Sequence, residues 1–453
     1  MNISNLRLSV APSGKSPNLI MYSMIFLCMV LLLTIYPIAN TIAARNILLV
    51  SGALLSLYLL YKNKNINSLI AYLPLLSLLL VVVWLIIHYL TIPTLVDKQL
   101  HELKSTWLRV LLATIFGFGA GISVCRVKNL KVLYSFSIFL LPAAYILAFI
   151  ADCIYLNGLP SQPYYGFFMT KTAATYFLMW PLLFYCGLFY GASNLQQKKI
   201  SLVAILLTAL CLFAVNSLNG LIVSSIAITF IFALTIFLSK RIKSMRLKVA
   251  ALLIVFIIPA ALLYSYGRVD NKIYNIYTDT MVGLDIDSNA YWQVGDAPRL
   301  ADGRRVNVST FYRVASFKNG LRIIAEHPLG AGFTFLPYGY YMKSLYPNST
   351  ADHTHSGWVD FTLGVGIPGL LLTCFALFFT IAKALKMKKM VGPVNDWDYI
   401  WSRTVISSLA GIFLLWLILE ISEKEYIEHT FFMISFLAAS LVKLPATGVH
   451  STS

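Results

Sequence analysis

Few side chains in this sequence are placed to do chemistry, and those few stand at the edges of apolar runs. His355 lies where the polar stretch ADHTH meets the apolar segment SGWVDFTLGVGIPGLL. A neutral imidazole accepts a proton from a hydroxyl near neutral pH. At a helix entrance the same residue can instead serve as an interfacial cap. Asp352 would share a face with His355 if the helix already runs there, whereas Asp360 falls about 140° round it. His353 reads as solvated. Arg313 offers a forked, permanently charged donor set suited to phosphate, or a snorkelling cation beside an amphipathic helix. Lys171, in MTKTAATYF, can meet an anionic headgroup or simply anchor a helix end.

Other groups point to weaker chemistry. Asp285 and Asp287 form a D-x-D, a pair that can hold a divalent cation over a diphosphate; the pattern is also common in polar loops. Glu420, Glu423, Glu425 and Glu428 cluster between two apolar runs and read as a solvated turn, with an acidic sugar-receiving funnel as the alternative. His88 and His101 receive no role, and His327 closes a helix, where a cation is favoured. The six cysteines include no C-x-x-C pair, so neither zinc nor a disulfide framework is indicated. The expected site holds no metal and no cofactor.

The elements that must position these residues are membrane spans. Of the 453 residues, 58% are hydrophobic and 12% charged, and the mean hydropathy is +0.76. A water-soluble surface does not tolerate that much apolar area. Apolar runs near the spanning length of roughly 20 residues recur along the chain. A β-barrel is excluded, since its strands would be short and alternating. The net charge of +17 sits in short connections and follows the positive-inside rule, so no nucleic-acid partner is called for. The reading is an all-α polytopic protein with about 12 transmembrane helices. They lie near 19–38, 45–61, 67–90, 106–125, 129–151, 172–191, 199–216, 219–238, 247–265, 356–382, 400–419 and 426–443. Lysine-rich connections alternate with poorer ones, which puts both termini in the cytoplasm.

This topology divides the chain into an N-terminal bundle (1–265), an outer loop (266–355) and three further spans (356–453). In a bacterium the outer side is the periplasm. The loop carries nine Lys or Arg and eight Asp or Glu. A connection that long is generally functional. Within it, TFYRVASFKNGLRIIAEHP predicts a helix capped by Ser309 or Thr310. Val314, Phe317, Leu321 and Ile324 form its apolar stripe, with Lys318, Arg322 and Glu326 opposite and Arg313 at the edge. Pro328 and the glycines of PLGAGF end it.

A multi-span chain with such a loop, an arginine opening a helix that ends in EHPLGAGF, and then HSGWVDFTLGVGIPGLL resembles the bacterial O-antigen ligases. The wider superfamily includes O-antigen polymerases and O-linked oligosaccharyltransferases. The likeness is specific over about Arg313 to Leu372, above all in the spacing from His355 to Gly366 and in Pro328 to Phe333. The resemblance implies a GT-C-like glycosyltransferase of the inner membrane with its site facing the periplasm. It implies an undecaprenyl-pyrophosphate-linked O-antigen as donor and lipid A-core as acceptor. The family's histidine maps to His355 and its loop arginine to Arg313. Two departures concern the pyrophosphate pocket: Asn219, in NSLNGL, stands where the family usually has arginine, and Lys171 supplies the expected base with a small offset. An O-antigen polymerase is the nearest rival reading. A polysaccharide-lipid transporter is the more distant one, since ionisable groups near the bilayer midplane and internal repeats are not evident.

Overall fold

The computed structural model describes residues 17–442 apart from 63–68, 93, 162, 163, 193, 218, 219, 223, 227, 230–248, 250–274, 295, 391–396, 420, 422 and 423. The protein is an all-helical polytopic membrane protein. Lipid offers no partner for a backbone amide or carbonyl, so apolar segments satisfy those groups internally as helices. In chain order the helices are α1 (Pro17–Ile35), α2 (Ile42–Lys62), α3 (Leu69–Thr91), α4 (Val96–Glu102), α5 (Leu108–Arg126), α6 (Lys128–Ser137), α7 (Leu140–Tyr155), α8 (Lys171–Gly191) and α9 (Leu195–Val215). After these come α10 (Ile276–Leu284), α11 (Val308–Glu326), α12 (Pro337–Leu345), α13 (Gly357–Met390), α14 (Trp397–Ile418) and α15 (Lys424–Ala439). A π-helical turn, Leu103–Trp107, joins α4 to α5.

Among the described residues, eight helices are long and apolar enough to cross a membrane. The first expected span appears as the shorter Leu19–Ile35, and the last as α15, of 16 residues. The spans expected at 219–238 and 247–265 fall largely outside the described residues. Outward-facing Leu54, Leu147, Leu206 and Leu371 are each more than half exposed, as acyl-chain contact requires. At the centre, α8 is buried on all sides. There α15 lies against the GFGAG run of α5, where a Cβ on Gly117 or Gly121 would come within 2.3 Å of the Phe432 or Phe436 carbonyl oxygen. Small residues let two backbones approach this closely in a bilayer.

Two cores result. The larger fills the bundle. The smaller joins Trp292, Phe311, Ile323, Tyr338 and Met342 of the 275–355 segment to Val359 and Leu363 at the start of α13. The segment thus shares its core with the helix that follows His355.

The expected face of the 310–327 helix is corrected. The residues that α11 buries are Phe311, Ala315, Ser316, Asn319, Gly320 and Ile323, while Phe317 and Leu321 are 39% and 47% exposed. Its cap also sits earlier: the Asn307 side chain accepts the Thr310 amide at 3.1 Å.

Candidate functional site

His355 sits in the turn that opens α13, and the turn is held from three directions. The Asp360 carboxylate accepts the Thr354 amide at 2.8 Å. The Gly357 amide donates to the Leu419 carbonyl at 2.8 Å. The Ser356 hydroxyl reaches the Trp416 carbonyl at 3.4 Å. These bonds fix His355 at a φ of +63°, a left-handed conformation that costs a non-glycine residue about 1–3 kcal/mol and persists only where the surroundings determine it. The helix does not extend back to Asp352, whose carboxylate pairs with Lys343 at 2.9 Å. Asp352 is therefore a surface ion-pair partner, not the group orienting His355.

Two rings pack against His355. His353 lies edge-on with 4.3 Å between ring centroids, and Tyr312 of α11 lies edge-on at 6.0 Å. His353 is half-buried in this contact and not simply solvated. Burial pushes the Tyr312 phenol well up from its ordinary range, so Tyr312 stays a neutral ring and donor. Arg313 follows Tyr312 directly, about 100° further round α11. It is half-buried, and its Nε donates to the Ser309 hydroxyl at 3.4 Å. The helix that carries Arg313 thus rests on the imidazole through the neighbouring residue.

The two sequence elements flanking the turn dock on one another. The α13 helix breaks at Gly366, with φ 71° and ψ 175°. The break leaves backbone groups without intrahelical partners, and the PLGAGF turn takes up two of them. The Ala331 amide donates to the Leu363 carbonyl and the Ile367 amide to the Pro328 carbonyl, both at 2.8 Å. From α3, the Trp84 indole donates to the Val365 carbonyl at 2.7 Å. Gly330 and Gly366 meet back to back: a Cβ on Gly366 would lie 2.3 Å from the Leu329 carbonyl. His88 is fully buried beneath this junction, its Nε2 3.4 Å from the Gly330 carbonyl oxygen and its ring edge-on to Phe333. Sequence reasoning left His88 and Trp84 without a role; the signal was two polar-capable rings four residues apart near one end of an apolar span.

Lys171 is the first residue of α8, whose cap is the Thr170 hydroxyl accepting the Ala173 amide at 3.0 Å. Asn219 lies outside the described residues. Gly220 packs on Thr175, one turn into α8.

The acidic cluster is corrected. Glu425 and Glu428 are buried, not solvated. Glu425 pairs with Arg45 at 2.7 Å and Glu428 with Arg109 at 3.0 Å. Beside them Lys424 pairs with Glu102 at 2.7 Å, and Glu102 accepts the Thr106 hydroxyl. Glu420 and Glu423 lie outside the described residues. In the D-x-D, both Asp287 oxygens are taken by Arg322, at 2.8 and 2.9 Å, and Asp285 accepts the amide of Ser288. Among the described residues no group of three metal-ligating side chains comes together.

Fold and site define a class: a polytopic helical membrane protein whose 275–355 segment docks on a broken span and holds a histidine at its mouth. A family model described as O-antigen ligase matches residues 165–374. Over those residues the chain is similar to the family its motifs resembled, and the matched range contains Lys171, Arg313, His355 and Gly366. No curated protein matches the chain.

Proposed function

We propose that the protein is a glycosyltransferase that moves O-antigen polysaccharide from undecaprenyl pyrophosphate to lipid A-core at the periplasmic face of the inner membrane. What carries this reading is the packing of the Arg313-bearing helix on His355, inside the segment that matches the O-antigen ligase family. His355 takes the proton of the acceptor hydroxyl as its oxygen attacks the anomeric carbon. The bond from that carbon to the pyrophosphate oxygen breaks, and its electron pair leaves with undecaprenyl pyrophosphate. Arg313 and Lys171, with Asn219, meet the charge that develops on the leaving group, so no metal is needed. One displacement inverts the anomeric carbon.

The family match favours a second reading equally, since ligases and polymerases belong to one superfamily. A polymerase would use the same donor and pass the glycan to another lipid-linked glycan. The test is a reaction of purified protein with lipid-linked O-antigen and lipid A-core, with and without EDTA. A ligase forms lipopolysaccharide in both. Lengthened lipid-linked glycan with lipid A-core untouched would replace the ligase reading by the polymerase one. Activity abolished by EDTA would discard the metal-free mechanism.

A further inference from the structure

The 275–355 segment carries a concavity away from the imidazole. It has a volume of about 270 Å³ and lies between the C-terminal half of α11, the 286–293 turn and the end of α12. Trp292 and Ile323 lie beneath its floor and are almost wholly buried, and its open surface is mostly polar. Its walls include Tyr341 and Tyr346, the latter edge-on to the Trp292 ring with 6.1 Å between centroids. Its rim is polar and open to solvent: Asp287, Arg322 and Glu326 are all exposed. These rim groups are preorganised. One guanidinium nitrogen of Arg322 holds both Asp287 oxygens, and the Tyr341 hydroxyl lies 3.3 Å from both the Glu326 carboxylate and the His327 Nε2.

This combination selects a chemical class. The half-buried Tyr341 and Tyr346 rings beside fixed donors and acceptors suit a ligand with an apolar C–H face and a hydroxyl-bearing edge, which is a sugar ring. An anion is disfavoured, because the one arginine is already paired and two carboxylates stand at the rim. The volume is just below the roughly 300–1,000 Å³ of typical ligand clefts, enough for about one or two sugar rings.

We infer that this cavity is a saccharide subsite, separate from the reacting centre, that holds a neutral sugar some units along the glycan from the bond at His355. That the sugar belongs to the transferred glycan rests on the function proposed above. The cavity itself stands on its lining. Its position fits the inference. Tyr312, Asn319, Ile323 and Glu326 lie on one stripe of α11 about 60° wide. Tyr312 touches His355 at one end of that stripe, and Ile323 lines the cavity eleven residues on. The helix rise separates them by roughly 16 Å, so a glycan reaching both would bridge several sugar units.

The test measures binding without catalysis. Full-length protein in nanodiscs is titrated against dye-tagged oligosaccharide released by mild acid from the host's lipopolysaccharide, with fluorescence anisotropy as readout. Unlabelled core oligosaccharide and sodium pyrophosphate serve as competitors. Wild type binds, and pyrophosphate does not compete. Removing the paired rim with D287A/R322A weakens binding by about tenfold or more, the loss expected when charged hydrogen bonds to a ligand disappear. Tyr341→Phe, which keeps the ring, weakens it less. No binding by wild type, equal binding by D287A/R322A, or displacement by pyrophosphate overturns the inference. Binding as expected without transfer to lipid A-core would retain the subsite and discard the ligase; transfer without binding would do the reverse.

Discussion

At the scale of the residue, His355 combines two demands: an imidazole at a fixed place and a left-handed backbone. The two can be separated. Asparagine tolerates the left-handed region better than most residues, so His355→Asn keeps the turn and removes the proposed base. Both His355→Asn and His355→Ala are expected to lower transfer about 10²–10⁴-fold, the usual worth of a general base. Lipopolysaccharide on a gel, with protein level checked, reads this out; a normal O-antigen ladder from either variant rules His355 out as the base. For Arg313, a forked donor to phosphate predicts a drop of about 10²-fold or more in Arg313→Ala, with partial retention in Arg313→Lys, since lysine keeps the charge but not the fork. Initial rates in the purified reaction measure both. Equal rates in wild type, Lys and Ala variants would remove Arg313 from the site.

At the scale of the element, the break in α13 sets where His355 stands. Gly366 has a positive φ and no room for a Cβ. Gly366→Ala is therefore expected to cost about 1–3 kcal/mol in backbone strain alone and to push the PLGAGF turn away. The expected readout is lower thermal stability in detergent and faster trypsin cleavage near Arg322. Unchanged cleavage and stability would show that the docking is not needed to hold the segment. The sequence announced both partners of this junction as motifs, yet not that they meet, because hydropathy along GVGIPG continues without interruption through the break. The face of α11 was misread for a related reason. Its buried stripe is made largely of Ala315, Ser316, Asn319 and Gly320, small or polar residues chosen to let α13 and Tyr338 come close. A hydropathy pattern follows Phe317 and Leu321 instead, which point outward.

At the scale of the whole molecule, composition was sufficient for the class, since so apolar a chain must become a helical bundle in lipid. It was silent on the ion pairs, because the acids of α15 find their cations at the far end of the chain: Glu425 and Arg45 are 380 residues apart. Breaking such a buried pair is costly, since it strands one charge. Arg45→Met is expected to destabilise by about 3–5 kcal/mol, and R45M/E425L to recover most of the loss. Thermal unfolding of the four members of this cycle in detergent measures the coupling; additive losses would mean the two charges do not depend on one another.

The same arrangement bears on biogenesis. Arg45 and Arg109 leave the ribosome inside early spans, and each charge adds about 2.5–3.5 kcal/mol to the insertion of a helix that carries it near its middle, less towards its ends. Their counter-ions arrive only when α15 is made. Until then the bundle has to shelter two cations at the lipid boundary, so this end of it closes only once α15 is made, and a chain halted before Lys424 should remain open there and prone to degradation.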